Sequence, residues 1–219
     1  MNAEELEAKV KMLENKVRTL EDIEAIKKLQ RAYGFYLEHW MAEDLIDLFS
    51  DSPEARLRIA AGEFHGKDAI RRFFRHGKED TPLEKSDPKL LHQVMQLCGV
   101  VDVDPDGKRA KGRWYGFGAN AFPVPGGIAP GWMNGVYEVE YIKEDNIWKL
   151  LKVRWCMTFH APWTLSFVDE ANRVDVRMDR PHERAAVLRP TGDHEETLYP
   201  SGFICPFHFK NPVSGKSHR

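Results

Sequence analysis

Val136-Tyr137-Glu138-Val139-Glu140-Tyr141-Ile142-Lys143, then Glu144-Asp145-Asn146, then residues 147–159 beginning Ile147-Trp148-Lys149-Leu150, read as strand, turn and strand. A second hairpin stands upstream of this one. Residues 91–103 are strand-like, residues 109–117 form the return strand, and Asp104-Pro105-Asp106-Gly107 joins them. That turn has a mechanism, because proline fixes φ and glycine takes positive φ. Ahead of the hairpins the period changes. Residues 4–31 and a stretch from about Ile23 to Phe49 read as helix, the second with Ile26, Leu29, Tyr33, Tyr36, Leu37 and Trp40 on one face. Residues 56–61 then read as a strand, 62–66 as a turn, 67–76 as a short helix, and 77–90 as a charged, proline-containing loop. A long helix, a short helix and hairpins of long strands describe an α+β cone, a curved antiparallel sheet wrapped around a long helix.

Three segments stand outside this pattern. Residues 118–135 hold five glycines and three prolines, so a long loop is expected there. It carries Phe122, Trp132 and Met133, an apolar load that favours burial against something. At the N-terminus, Leu6, Val10, Leu13, Val17 and Leu20 alternate by four and three, a seam of about two heptads. Such a helix is either an arm packed on its own domain or a self-association helix. After His160 the chain has six prolines and little periodicity, yet the run from Tyr199 to Phe209 is too aromatic for a solvated tail. An extended arm, wrapping its own domain or a neighbouring subunit, is expected. The organisation is thus a helical arm over 1–22, a core domain over 23–160 and an extended arm over 161–219.

Composition excludes several classes. The 219 residues carry 32 Lys and Arg against 34 Asp and Glu, a net charge of −2 that offers no broad footprint for nucleic acid. No apolar run approaches the roughly 20 residues of a membrane span, and the polar, acidic start is unlike a signal peptide. Three scattered cysteines, Cys98, Cys156 and Cys205, make neither a disulfide framework nor a metal knuckle. A cytoplasmic protein without nucleic-acid or membrane partners is expected. There is no nucleophile elbow, phosphate loop or dinucleotide fingerprint, and no histidine pair at metal-ligand spacing.

Several stretches together resemble the SnoaL-like branch of the nuclear-transport-factor-2-like superfamily. They are 33–49, Phe64-His65-Gly66-Lys67-Asp68-Ala69-Ile70, Leu91-His92-Gln93-Val94, Asp106-Gly107-Lys108-Arg109-Ala110, and Gly135-Val136-Tyr137 through Asn146-Ile147-Trp148-Lys149-Leu150. The likeness spans roughly residues 20–160. It implies a conical fold with one deep pocket between the concave sheet face and the long helix, and chemistry without metal or organic cofactor. It resembles scytalone dehydratase at three positions: the acidic residue of the long helix falls at Glu38, the strand histidine at His92, and a polar residue of the penultimate strand at Tyr137. It departs at Ile59-Ala60-Ala61, where the dehydratase has a tyrosine, and at Val139, where polyketide cyclases place a carboxylate. The aromatic residues and extended C-terminal arm also resemble cofactor-free lyases that deformylate lignin-derived diarylpropane diols.

The residues themselves allow that chemistry. A histidine titrates near ~6.5 and can give or take a proton at neutral pH, so His92 is the leading candidate, with Glu38 or His39 as base or orienting group. Tyr36 and Tyr137 offer hydroxyls, and an inward Arg113 would hold an anion or a phenolate. Tyr33, Trp40, Tyr115, Phe117, Trp132 and Met133 are the expected walls of an aromatic pocket. The resemblance implies a lyase for a phenolic substrate, acting through a quinone methide and releasing a stilbene and formaldehyde. The alternatives are an aromatic dehydratase or isomerase, a non-catalytic ligand-binding or assembly domain, and the structural subunit of a ring-hydroxylating oxygenase. A homo-oligomer, dimer or trimer, is expected.

Overall fold

Asn2 starts the first helix by a reciprocal cap: its side chain accepts from the Glu5 N–H at 2.8 Å, and the Glu5 carboxylate accepts from the Asn2 N–H at 3.0 Å. The computed structural model describes residues 1–60, 62–75, 88–124, 127–164, 166–168 and 198–217. Helix α1 (Ala3–Glu38) is one continuous rod where the sequence suggests two overlapping stretches. Its buried stripe, Asp22, Ile26, Gln30, Tyr33 and Leu37, starts only at residue 22, and residues 3–21 stand clear of the domain. The helix ends as Trp40 enters the left-handed region at φ 51°. That conformation costs a bulky residue about 1–2 kcal/mol. It is held by the Trp40 indole N–H, which donates to the Phe74 carbonyl at 2.8 Å. Helices α2 (Ala42–Asp47) and α3 (Gly66–Phe74) follow, clipped together where the Arg75 guanidinium grips Glu43 at 2.6 and 2.8 Å.

Seven strands form one curled sheet: β1 (Arg56–Ile59), β2 (Gly62–His65), β3 (Leu91–His92), β4 (Met95–Val103), β5 (Arg109–Val124), β6 (Gly127–Glu144) and β7 (Ile147–Pro162). Their order is β2-β1-β7-β6-β5-β3, with β4 also paired to β5. The expected antiparallel sheet is corrected to a mixed one, because β1 runs parallel to β7. Residues 62–65 are likewise a strand rather than a turn.

The larger correction concerns residues 118–135. Residues 118–124 and 127–135 are not a loop but the paired ends of β5 and β6, in register from Gly118↔Met133 to Val124↔Gly127. Gly118, Gly131 and Gly135, with Gly116 just before them, lie on the concave face and alternate with outward residues. A Cβ on Gly116 or Gly135 would lie within 2.7 Å of the Trp155 ring, so these positions make room for large rings on a tightly curled sheet.

The core lies between α1 and this inner face. Asp22 Oδ1 accepts from Lys143 Nζ at 2.6 Å and from the Trp148 indole at 2.8 Å, fixing the helix across the β6–β7 hairpin. Further along, Trp114 Nε1 donates to the Tyr141 hydroxyl at 3.0 Å, which donates to Gln30 Oε1 at 2.8 Å. Gln30 Nε2 donates to Gln96 Oε1 at 2.9 Å, and Gln96 Nε2 donates to the Val94 carbonyl at 3.0 Å. Buried amides and hydroxyls thus satisfy one another, as burial requires.

The described end of the C-terminal arm, residues 198–217, wraps its own domain on the outer face. The Tyr199 N–H donates to the Thr158 carbonyl at 2.8 Å, and Cys205 Sγ lies 2.8 Å from Cys156 Sγ. Most of the expected loop at 77–90, and residues 169–197 of the arm, lie outside the described residues. Among the described residues, no helix is long and apolar enough to cross a membrane.

Candidate active site

Strand β3 is two residues long, and its purpose is positional. Leu91 pairs with Ala121 and His92 with Asn120, and the Gln93 N–H donates to the Ala119 carbonyl at 3.0 Å. The chain can cross β5 this closely because residue 118 is glycine: a Cβ there would lie 1.9 Å from the Gln93 oxygen. His92 is thereby set against the end of α1. Its ring stacks on Trp40 (centroids 5.9 Å, 16°) and meets the edge of Phe122 at 5.2 Å.

The register places a second histidine across the sheet. His160 on β7 pairs with Met133, and its ring lies 6.2 Å from that of Phe122. His160 Nε2 lies 3.0 Å from Asn120 Oδ1. Gly131, paired to Asn120, lies beneath that contact, and a Cβ on it would sit 3.1 Å from both atoms. Trp40, His92, Asn120, Phe122 and His160 therefore converge at one end of the cone.

Electrostatics sets the state of His92. The residue as a whole is only half-buried, but its Nδ1 is closed off from solvent and has no hydrogen-bond partner among the described residues. Burial pushes its pKa down to about 4, and the neighbouring His160 adds to the shift. The ring is therefore uncharged at neutral pH, with one basic nitrogen and one N–H. An imidazole in this state can accept a proton without first shedding one.

Other expected site residues lie elsewhere. Tyr33 and Tyr137 are buried further along the cone, edge to face at 6.0 Å, with Tyr137 packed on Trp155 at 4.4 Å. Burial pushes both phenols well above their usual range, and Tyr137 also hydrogen-bonds Gln96. These rings fill the part of the cone where the deep pocket was expected. Met133 is buried between Gly118 and His160 in the register, and Tyr36 is half-buried against the core.

Six candidates are corrected by strand alternation and helix phase. Arg113, Tyr115 and Phe117 share the outer face of β5, because Trp114, Gly116 and Gly118 take the inner one. Arg113 pairs with Glu138, donates to the Cys205 and Pro206 carbonyls at 3.1 and 3.2 Å, and lies 4.0 Å over the Phe207 ring. It anchors the C-terminal arm on the outer face of the sheet. Tyr115 is exposed, and Phe117 stacks outside on Trp132, which in turn stacks on Trp163 at 4.0 Å. His39 is exposed at the helix end, 3.8 Å from Glu38, and no described hydrogen bond or ion pair joins Glu38 to His92.

Sequence reasoning missed Asn120 and His160. Counting inward positions along β5 leads to Asn120, whereas His160 turns inward only because a bulge between Met157 and Phe159 shifts the alternation of β7. The sequence also gives no hint that they meet, because the contact spans β6.

Three comparisons complete the description. A SnoaL-like domain model matches residues 18–154. Among solved structures, a candidate scytalone dehydratase from Novosphingobium aromaticivorans superposes with a TM-score of 0.53 at 16% identity, covering 76% of this chain and 99% of that one. Rv3472 of Mycobacterium tuberculosis, of unknown function, superposes with a TM-score of 0.51 at 18% identity over 77% and 90%. A hexachlorocyclohexane dehydrochlorinase, LinA type 2, gives 0.52 at 17% identity over 71% and 98%. At such identities the likeness is one of fold. No curated protein sequence matches the chain. The family model covers more than half of the chain, from within α1 into β7 and including His92, and the protein belongs to the SnoaL-like domain family.

Proposed function

We propose that the protein is a cofactor-independent lyase for an aromatic small molecule, with His92 as its proton-transfer residue. One observation carries this reading: an imidazole held uncharged, with a buried and unpartnered Nδ1, between the rings of Trp40 and Phe122. Buried polar atoms are ordinarily paired within the protein, and an open one between aromatic walls suits a substrate group. Two structural neighbours bear the names of a dehydratase and a dehydrochlorinase, both elimination activities, and eliminations in general use a proton acceptor. General acid–base groups typically contribute about 10²–10⁴-fold.

The finer proposal is deformylation of a lignin-derived diarylpropane diol. Loss of the benzylic hydroxyl as water, with the para phenol giving up its proton, yields a quinone methide. His92 then takes the proton of the terminal hydroxymethyl group. Its carbon–carbon bond breaks, formaldehyde leaves, and the electron pair returns to the ring to give a stilbene phenolate. One diol becomes one stilbene, one formaldehyde and one water, with no oxidant consumed. The residues of the His160–Asn120 pair are the companions placed to orient the leaving hydroxyl.

The test is incubation of purified, metal-free protein with a panel of phenolic diaryl diols, with formaldehyde and alkene as readouts. Release of both, abolished in His92→Asn, supports the finer reading. Alkene without formaldehyde supports the dehydratase alternative. A second reading, ligand binding without turnover, is favoured by the packed rings of Tyr33, Tyr137 and Trp155, and tight binding with no product would establish it.

A further inference from the structure

We propose that residues 3–21 pair with the same segment of a second copy as a parallel two-stranded coiled coil. The starting observation is that the first five turns of α1 are exposed and pack on no other element among the described residues. Leu6, Val10, Leu13, Val17 and Leu20 are 46% to 63% exposed, although their four-three spacing gathers them into one seam. The helix packs on its own domain only from Asp22 onward. The seam stops at the same place, since its next position is Glu24, exposed and paired with Lys27 within the chain.

The occupant of the seam is chosen by residue type and charge. Ala3, Val10 and Val17 take the a positions and Leu6, Leu13 and Leu20 the d positions, and β-branched residues at a with leucine at d favour two parallel strands. The flanks are Glu7, Glu14 and Glu21 at e, and Lys9 and Lys16 at g. In a parallel pair each g residue faces the e residue of the next heptad on the other chain. Lys9 then meets the second copy's Glu14, and Lys16 meets the second copy's Glu21, twice over by symmetry. In an antiparallel pair g faces g and e faces e, so lysines meet lysines and glutamates meet glutamates. Among the described ion pairs, none engages any of these five charges, so they are available to a partner.

Length is not an obstacle. A free helix of this size would be marginal in water. Here the helix is already nucleated, because residues 22–38 are anchored in the domain and Asn2 caps the far end. Association has only to bury the seam.

The experiment measures the mass of the full chain in solution by size-exclusion chromatography with light scattering. Wild type should run at twice the 25.3 kDa chain mass. Leu13→Asp should run as a monomer with an unchanged near-ultraviolet circular dichroism spectrum. The pairs K9E/K16E and E14K/E21K should each be monomeric alone and form a dimer when mixed, and the four-fold swap should restore a homodimer. Ala3→Cys should cross-link between chains in oxidised glutathione, through thiol–disulfide exchange that releases reduced glutathione. A monomeric wild type, a trimer, or an oligomer indifferent to Leu13→Asp and to the charge pairs would overturn the proposal. Failure of Ala3→Cys to cross-link would overturn its parallel orientation. None of these outcomes bears on His92.

Discussion

The two ends of the cone bury similar residues to opposite effect. Towards Tyr141 the polar atoms are spent on one another: Trp114, Tyr141, Gln30 and Gln96 form an unbroken chain of hydrogen bonds among stacked rings. Towards His92 the rings are as dense, but an imidazole nitrogen is left with nothing to bond. The first arrangement locks the helix to the sheet. The second holds a reactive group dry and uncharged. The difference teaches that aromatic content alone does not locate a site in this fold.

Substitutions can break or sharpen this contrast. The largest effect is expected at His92→Asn. Turnover should fall about 10²–10⁴-fold, while the stability loss should stay near the worth of the ring contacts with Trp40 and Phe122, about 0.5–1.5 kcal/mol each. A large loss of stability with intact turnover would make His92 a structural residue. The same ring should govern acid sensitivity. In the unfolded chain it takes up a proton near pH 6.5, and in the folded protein only near pH 4. Between those values the unfolded state holds more protons, so stability rises with pH. Acidification from pH 6.5 to 4 should therefore remove on the order of 3 kcal/mol through this group. Denaturant unfolding of wild type and His92→Asn across that window isolates the contribution, since the variant lacks it.

At the locked end, Tyr141→Phe strips the partner from both the Trp114 indole and Gln30 Oε1. A cost of about 2–4 kcal/mol follows from two buried groups left unsatisfied. Turnover per folded molecule should hold, which separates the two ends. Gly131→Ala probes the open end by crowding the Asn120–His160 pair without replacing either residue. Its methyl would lie 2.8 Å from the Ala161 carbonyl and 3.1 Å from Asn120 Oδ1 and His160 Nε2. Overpacking of about 1–3 kcal/mol is expected, together with a changed His160 ring signal in nuclear magnetic resonance spectra. The smallest effect belongs to neither end. Phe207→Ala removes the ring under Arg113 on the outer face and should cost about 0.5–1 kcal/mol, with catalysis unaffected.

Much of this architecture is legible in the sequence, for physical reasons that also mark where legibility stops. The hairpin of residues 136–159 and the Asp104–Gly107 turn announce themselves through residue types that serve one purpose. Glycine serves two. In residues 118–135 it reads as loop because loops use it, yet here it thins the inner face of a curled sheet so that Trp155 and the chain at Gln93 fit. That misreading hid the register, and the register decides the rest. Tyr115 and Phe117 look like pocket walls by type, but the inner positions of β5 belong to their small neighbours. Arg113 follows the same parity and ends on the C-terminal arm. His92 was found by resemblance, and its environment was not, since Asn120 and His160 reach it from strands that only the folded sheet brings together.

The central claim is most directly tested by nitrogen-15 chemical shifts of the His92 ring, followed from pH 8 to pH 3. The account requires a single uncharged form down to about pH 5, no hydrogen-bond signature at Nδ1, and a midpoint near pH 4. A ring that titrates near its ordinary pH 6.5, or that shows Nδ1 bonded within the protein, would contradict it.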